Sequence, residues 1–159
     1  MMNKKIETNP FELFDKKWAL LTAGTIDKHN SMTISWGEMG TLWSKPVVTV
    51  YVKPCRYTHN FMEENEYFVV SFFKEEHRKS LSIMGSQSGR DINKDEASKL
   101  TPIKYKDLTI YKEAEMTIIC KKVYQNDLDL SNIPEFAKNT YYEKEAPHTM
   151  YVGVVEEIL

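Results

Sequence analysis

The stretch Ser31–Phe61, SMTISWGEMGTLWSKPVVTVYVKPCRYTHNF, decides how this chain is read. In MTISWG, Met32, Ile34 and Trp36 fall on one side and Thr33 and Ser35 on the other, the period of a strand with one face in the core. Gly37 and Gly40 break that pattern and give a connection that carries Trp43. Val47 to Val52 is then a run of β-branched and aromatic residues, the composition of a strand buried on both faces. Pro54 stops it, and the basic, hydroxyl-bearing turn Cys55-Arg56-Tyr57-Thr58 opens a short helix to Glu64, with Thr58 as its expected cap. A flat slot beside the tryptophans and an anion site at the turn are what a planar aromatic ligand with a phosphate tail requires.

Working outward, Asn9-Pro10 is a helix start, and Phe11, Phe14 and Trp18 are expected to share its apolar face. WALLTAGTI reads as a strand and Asp27–Ser31 as a polar turn, so Ala19–Trp36 is most simply a β-hairpin. Downstream, Glu66–Phe73 is a strand and Lys74–Met84 a helix with Gly85 at its C-terminal cap. A polar loop, GSQSGRDINKDEASK, leads into a second short helix. Ile103–Tyr105, Leu108–Tyr111, Met116–Tyr124 and Tyr151–Ile158 have strand composition, whereas Ser131–Glu145 is polar, with a turn around Pro134–Lys138. Strands follow one another without helical crossovers, so the expected class is mainly β with short inserted helices, an antiparallel sheet or barrel.

The whole chain, 159 residues, is expected to form one domain, with residues 1–8 a loose leading segment. Its net charge is 21 − 23 = −2, which recommends neither nucleic acid nor an anionic membrane as partner. No apolar run approaches the ~20 residues of a membrane span, and MMNKKIETNP lacks the apolar segment of a secretion signal. Two cysteines are too few for a disulfide framework, so a reducing, cytoplasmic setting is expected.

The candidate anion site is Lys53, Arg56, Tyr57 and Thr58: a guanidinium gives bidentate bonds to phosphate, and the N–H groups opening the next helix add partial positive charge. GSQSGRD, Gly85–Asp91, is a second loop of small donors, with Ser86, Ser88 and Arg90 able to bond a polyol or phosphate and its glycines permitting close backbone approach. Taken singly, each has an ordinary alternative, a solvated strand end or a helix-terminating loop, and strand aromatics such as Trp36, Trp43 and Tyr51 are commonly core. Cys55 and His59 invite a thiolate–imidazole reading but show no third, orienting group. The histidines form no metal-ligand spacing, and no GxGxxG, phosphate-loop or nucleophile-elbow motif is present.

Together MTISWG, LWSKPVVTVYVKPCRYTHNF, YFVVSFF, LSIMGSQSGRD and HTMYVGVVEEI resemble, in this order, the flavin reductase-like family of the FMN-binding split barrel, nearest its flavoredoxin-type branch. The resemblance implies a homodimer of antiparallel split β-barrels that binds FMN without a covalent bond. It implies that Thr33, Ser35, Trp36 and Gly37 line the ring and ribityl chain, with Tyr51 and Lys53 beside it. Arg56, Tyr57 and Thr58 would hold the phosphate, and Ser86, Ser88, Gly89, Arg90 and Asp91 would close the site. His148 would be a substrate-side residue, and no side chain is required as catalyst. In the last strand, Gly153 is followed by Val154 where members commonly carry a Gly-Glu pair. The implied activity is hydride transfer from NADH or NADPH through FMN to an acceptor. The alternatives are an FMN electron carrier reduced by a partner protein and a non-redox β-barrel module with a phosphate-ligand site.

Overall fold

The computed structural model describes residues 5–159. A helix, α1 (Pro10–Asp15), leads into strands β1 (Ala19–Thr25), β2 (Lys28–Ile34), β3 (Gly37–Leu42) and β4 (Lys45–Val52). Helix α2 (Tyr57–Glu64) and strand β5 (Tyr67–Phe72) follow, then a 3-10 turn at Glu75–His77 and helices α3 (Arg78–Ser86) and α4 (Lys94–Ser98). The chain ends with β6 (Pro102–Tyr105), β7 (Leu108–Tyr111), β8 (Met116–Asp127), α5 (Glu135–Tyr141) and β9 (Thr149–Ile158). One sheet runs in the order β2-β1-β5-β8-β9-β4-β3, and β6-β7 forms a separate ribbon. Every pair is antiparallel, as the run of strands without crossovers predicts. The large sheet is not closed: β2 and β3, consecutive in sequence, are its two edges.

The period-two pattern explains the core. On β1, Ala19, Leu21 and Ala23 face a main cluster with Val48, Val50 and Val52 of β4, Phe68 and Val70 of β5, and Ile118 of β8. Leu20, on the opposite face, joins Leu81 and Met84 of α3 and Tyr111 in a second cluster. Both faces of β1 are therefore covered. Each fully buried Leu, Val or Phe in such a sheet contributes ~1.5–3 kcal/mol.

Several local expectations are corrected. The β1–β2 turn is only Ile26-Asp27, because Thr25 already pairs with Lys28; Lys28–Ser31 is strand, its polar side chains being bonded to neighbouring elements. Gly37–Leu42 is an edge strand rather than a connection, held by its ladder to β4 more than by side-chain burial. Its hairpin tip is Trp43-Ser44, both at positive φ, the geometry of a tight two-residue turn. α1 ends at Asp15, so Phe14 enters the core while Phe11 is 84% exposed, and Trp18, at φ 66°, instead packs its ring under the Arg78 guanidinium.

Thr58 does not cap α2. Arg56 holds the cap position without a side-chain bond, and Thr58 is buried inside the first turn. Nor does Gly85 cap α3, which runs on to Ser86 with Gln87 as its cap; the Gly85 site is instead where Thr33 of β2 crosses, its Cβ only 3.1 Å from where a Gly85 Cβ would stand. The polar Ser131–Glu145 segment contains a helix, α5. Of the leading segment expected to be loose, residues 1–4 lie outside the described residues, and Ile6 packs against the main core.

Candidate functional site

Strand β2 carries two cavities in succession along the open edge of the sheet. The first, about 260 Å³, is lined by Asn30 of β2, by Cys55, Arg56, Tyr57 and Thr58 at the start of α2, by Ser86, Gln87, Ser88, Gly89 and Arg90 after α3, and by Lys94. It thus brings together seven of the residues singled out in sequence from the two loops: Arg56, Tyr57, Thr58, Ser86, Ser88, Gly89 and Arg90. Asp91 is not among its lining residues; its backbone N–H is turned to the Ser88 carbonyl at 3.1 Å.

Among the described residues three cations, Arg56, Arg90 and Lys94, line this cavity and no carboxylate does. Arg56 Nη2 donates to the Gly85 carbonyl at 2.8 Å, and Arg90 Nη1 donates to the Cys55 carbonyl at 3.1 Å with its guanidinium 4.8 Å above the Tyr57 ring. Both heads are fixed by one bond and keep further N–H groups in hand. Lys94 is 6% exposed, and its ammonium donates to the Ser31 carbonyl at 2.5 Å. Burial, and then the nearby Arg56 charge, push its pKa down to about 8. Two cations that repel one another across a small cavity call for an anion between them. The backbone also closes in here: a Cβ on Gly89 would stand 2.1 Å from Asn30 Oδ1, so this loop approaches β2 as closely as only glycine permits. Asn30 in turn donates to Thr58 Oγ1 at 2.8 Å and locks α2 to the strand.

Behind Lys94 lies a polar chain that positions α4. His29 Nε2 is 2.9 Å from Asp95 Oδ2, the Tyr111 hydroxyl donates to Asp95 Oδ1 at 2.6 Å, and Ser31 Oγ lies 2.9 Å from Tyr111 and 2.8 Å from Thr22. Burial works against both charges of the His29–Asp95 pair, but the bonds prevail: His29 titrates above, and Asp95 below, its ordinary value.

The second cavity, about 210 Å³, is lined by Met32, Thr33, Ile34, Ser35, Trp36, Tyr51, Lys53, Tyr141 and His148. Trp36 is 40% exposed and meets Tyr141 edge-on at 5.0 Å and His148 at 5.2 Å. Burial, then the Lys53 charge, lower the His148 pKa to about 4, so near neutrality it is an uncharged imidazole; the Tyr142 hydroxyl lies 2.8 Å from its Nδ1. Gly37 borders not this cleft but a wider apolar groove, about 770 Å³, which shares Ser35, Trp36 and Tyr51 with it and is rimmed by Phe11 and Glu38. Trp43, expected beside the slot, is at the hairpin tip, 65% exposed and in neither cavity. His59 bonds Thr149 Oγ1 at 3.0 Å, so its imidazole is engaged away from Cys55, in keeping with the absence of an orienting group for that pair.

The two cavities are joined through one contact chain. Thr33, in the cleft, donates through Oγ1 to the Leu81 carbonyl at 2.5 Å and packs on Gly85, whose carbonyl holds Arg56 of the anion pocket. Sequence reasoning missed Asn30, Gln87 and Lys94 of the pocket and Tyr141 of the cleft.

With this geometry in view, the family model for the flavin reductase like domain matches residues 11–158. The chain belongs to that family. Solved structures similar to this flavin reductase-like chain include flavoredoxin from Methanosarcina acetivorans, with a TM-score of 0.71 at 20% identity over 98% of this chain and 75% of that one. The FMN-binding domain of a flavin reductases-like enzyme from Shewanella baltica gives 0.67 at 20% identity, over 93% and 71%. An NADH:FAD oxidoreductase from Streptomyces globisporus gives 0.69 at 14% identity, over 90% and 73%. At such identities the likeness is one of fold, the split-barrel fold of the family. No curated protein sequence matches the chain. Among the described residues no helix is long and apolar enough to cross a membrane.

Proposed function

We propose that this chain binds FMN, with the phosphate in the Arg56–Arg90–Lys94 pocket and the ring in the Trp36–Tyr51 cleft, and acts as a flavin reductase-like oxidoreductase. NADH or NADPH is the proposed hydride donor, and the acceptor is a separate molecule. The observation that carries the reading is that β2 sets an anion pocket and an aromatic cleft end to end. Asn30 lies in the first and Met32–Ile34 in the second, a spacing of ~7–13 Å at the rise of a strand.

The donors present fit a phosphate monoester. Guanidinium and ammonium groups, two serine hydroxyls and the first N–H groups of α2 surround one cavity that no carboxylate among the described residues lines. Bound FMN supplies the hydride-accepting ring. The chain's part is to hold it: Arg56 and Lys94 fix the tail, Trp36 and Tyr51 bound the ring, and the unpaired N–H groups of edge strand β2 offer donors along its rim. His148, uncharged near neutral pH, adds no positive charge to the cleft. Association of two copies belongs to the same proposal and is measured by sedimentation velocity.

Tyr141 and His148 stand at the cleft, and that restriction of access favours a second reading, an FMN carrier reduced by a partner protein. One experiment separates the two. Purified protein loaded with FMN is expected to bleach on anaerobic addition of NADH or NADPH. Bleaching by dithionite alone would favour the carrier, and a protein that takes up no FMN would contradict both.

A further inference from the structure

The segment from α5 to β9 is fastened to the body by very few groups. No residue of α5 is buried, and Phe136 is 72% exposed. What ties it down is concentrated at one point, the mouth of the aromatic cleft. There Tyr141 meets Trp36, and the Lys53 ammonium donates to the Tyr141 carbonyl at 3.2 Å and forms an ion pair with Glu145. Among the described residues Lys53 is the one Lys or Arg lining the cleft, and His148 beside it is held neutral by burial and by Lys53 itself. The Lys53 side chain is 23% exposed and that of Glu145 48%. A single cation at the mouth is therefore neutralised by a carboxylate on a loosely attached strap. An ion pair this exposed is weak because solvent screens it, so a competing anion can displace it.

We infer that Glu145 stands in for an acidic group of the second ligand of the cleft: Lys53 is the docking cation for a substrate bearing phosphate or carboxylate, and the Tyr141–Glu145 strap swings aside as that substrate enters. The inference rests on the flavin reading above and specifies its substrate side. The incoming anion would make the same charge-assisted bond to Lys53 that Glu145 makes, and Trp36, freed of Tyr141, would meet the planar part of the substrate.

Two hydride donors of different charge test it on the FMN-loaded protein: NADH, which carries a diphosphate, and neutral 1-benzyl-1,4-dihydronicotinamide. Each gives up one hydride, two electrons with one proton, and leaves as its pyridinium. Glu145→Gln is expected to raise kcat/KM for NADH about three- to fivefold while leaving the neutral donor within about twofold, since only the anion competes with the strap. Lys53→Met should lower kcat/KM for NADH about tenfold or more, Lys53→Arg should restore most of it, and in the Lys53→Met background Glu145→Gln should have no effect. An equal response of both donors to Glu145→Gln, no response at all, or a Lys53→Met protein that uses NADH normally would overturn the inference. If the neutral donor reduces the protein and NADH does so in no variant, the inference falls and the flavin reading stands. If neither donor reduces it, the hydride-transfer reading fails and takes the inference with it.

Discussion

Lys94→Met is expected to weaken FMN binding about 10- to 100-fold while leaving the ligand-free fold as stable or more stable. The two effects have opposite signs for one reason. In the free protein Lys94 is a buried cation hydrogen-bonded to the Ser31 carbonyl; burial and the Arg56 charge outweigh the attraction of Asp95. Replacing a poorly compensated buried charge by an apolar side chain of similar length relieves that cost. With FMN bound, the same charge would face a phosphate, and its loss leaves the dianion short of a partner. Arg56→Ala should weaken FMN to a similar degree, ~1.5–3 kcal/mol, without the gain in stability, because Arg56 also anchors the Gly85 carbonyl. Fluorescence titration with FMN and urea unfolding without it give the two readouts. Unchanged affinity in Lys94→Met would remove Lys94 from the site.

The pH dependence follows from the same group. With its pKa lowered to about 8, Lys94 loses its charge as pH rises through that value, and FMN affinity should fall with it. On the acid side the phosphate loses its second charge below about 6. Affinity should therefore be greatest between. Stability of the free protein moves the other way: above about 8 the unfolded chain holds the lysine proton and the folded chain does not, so this group makes stability rise with pH there.

The second large effect belongs to the network behind Lys94. Asp95→Ala should cost about 2–3 kcal/mol of stability, since it removes the partner of His29 Nε2 and one of the two partners of the buried Tyr111 hydroxyl. Its pH profile is defined by the shifts. Asp95, lowered, contributes above the ordinary carboxylate value of 3.8 and loses its effect as pH falls through its own lower value. His29, raised, contributes fully below the ordinary imidazole value of 6.5 and loses its effect as pH rises through its own higher one. The difference from wild type in urea unfolding should thus be greatest between 3.8 and 6.5 and shrink on either side. A difference that fails to shrink below 3.8 and above 6.5 would mean the pair is not ionised as described.

How much of this was legible in the sequence depended on where the physics was local. Met32 and Ile34 and the β-branched run Val47–Val52 named their strands because burial of one sheet face is written at period two and burial of both as an unbroken apolar run. Trp36, expected to continue the first pattern, lies past the end of β2 and is 40% exposed. Arg56 and Arg90 could be singled out because a basic residue among small hydroxyl donors is a local pattern. Lys94 could not: Asn93-Lys94-Asp95-Glu96 reads as a solvated helix start, and only the fold carries that ammonium under β2. Gly37–Leu42 was hidden because an edge strand is held by ladder bonds, which leave no apolar pattern. α5 was hidden for a related reason, having no buried face to give it a period. Thr58 shows the converse error: a hydroxyl before a helix suggests a cap, but here it is used by Asn30, 28 positions earlier in the chain.

The central claim is that one end of β2 holds a phosphate and the next few residues a flavin ring. Parallel titration of the purified protein with FMN and with riboflavin, which has the ring but lacks the phosphate, tests it most directly. The account predicts that FMN binds at least about a hundredfold more tightly, the loss of two or more charge-assisted bonds, and that Lys94→Met erases much of the difference. Equal affinities for the two flavins, or no binding of either, would contradict it.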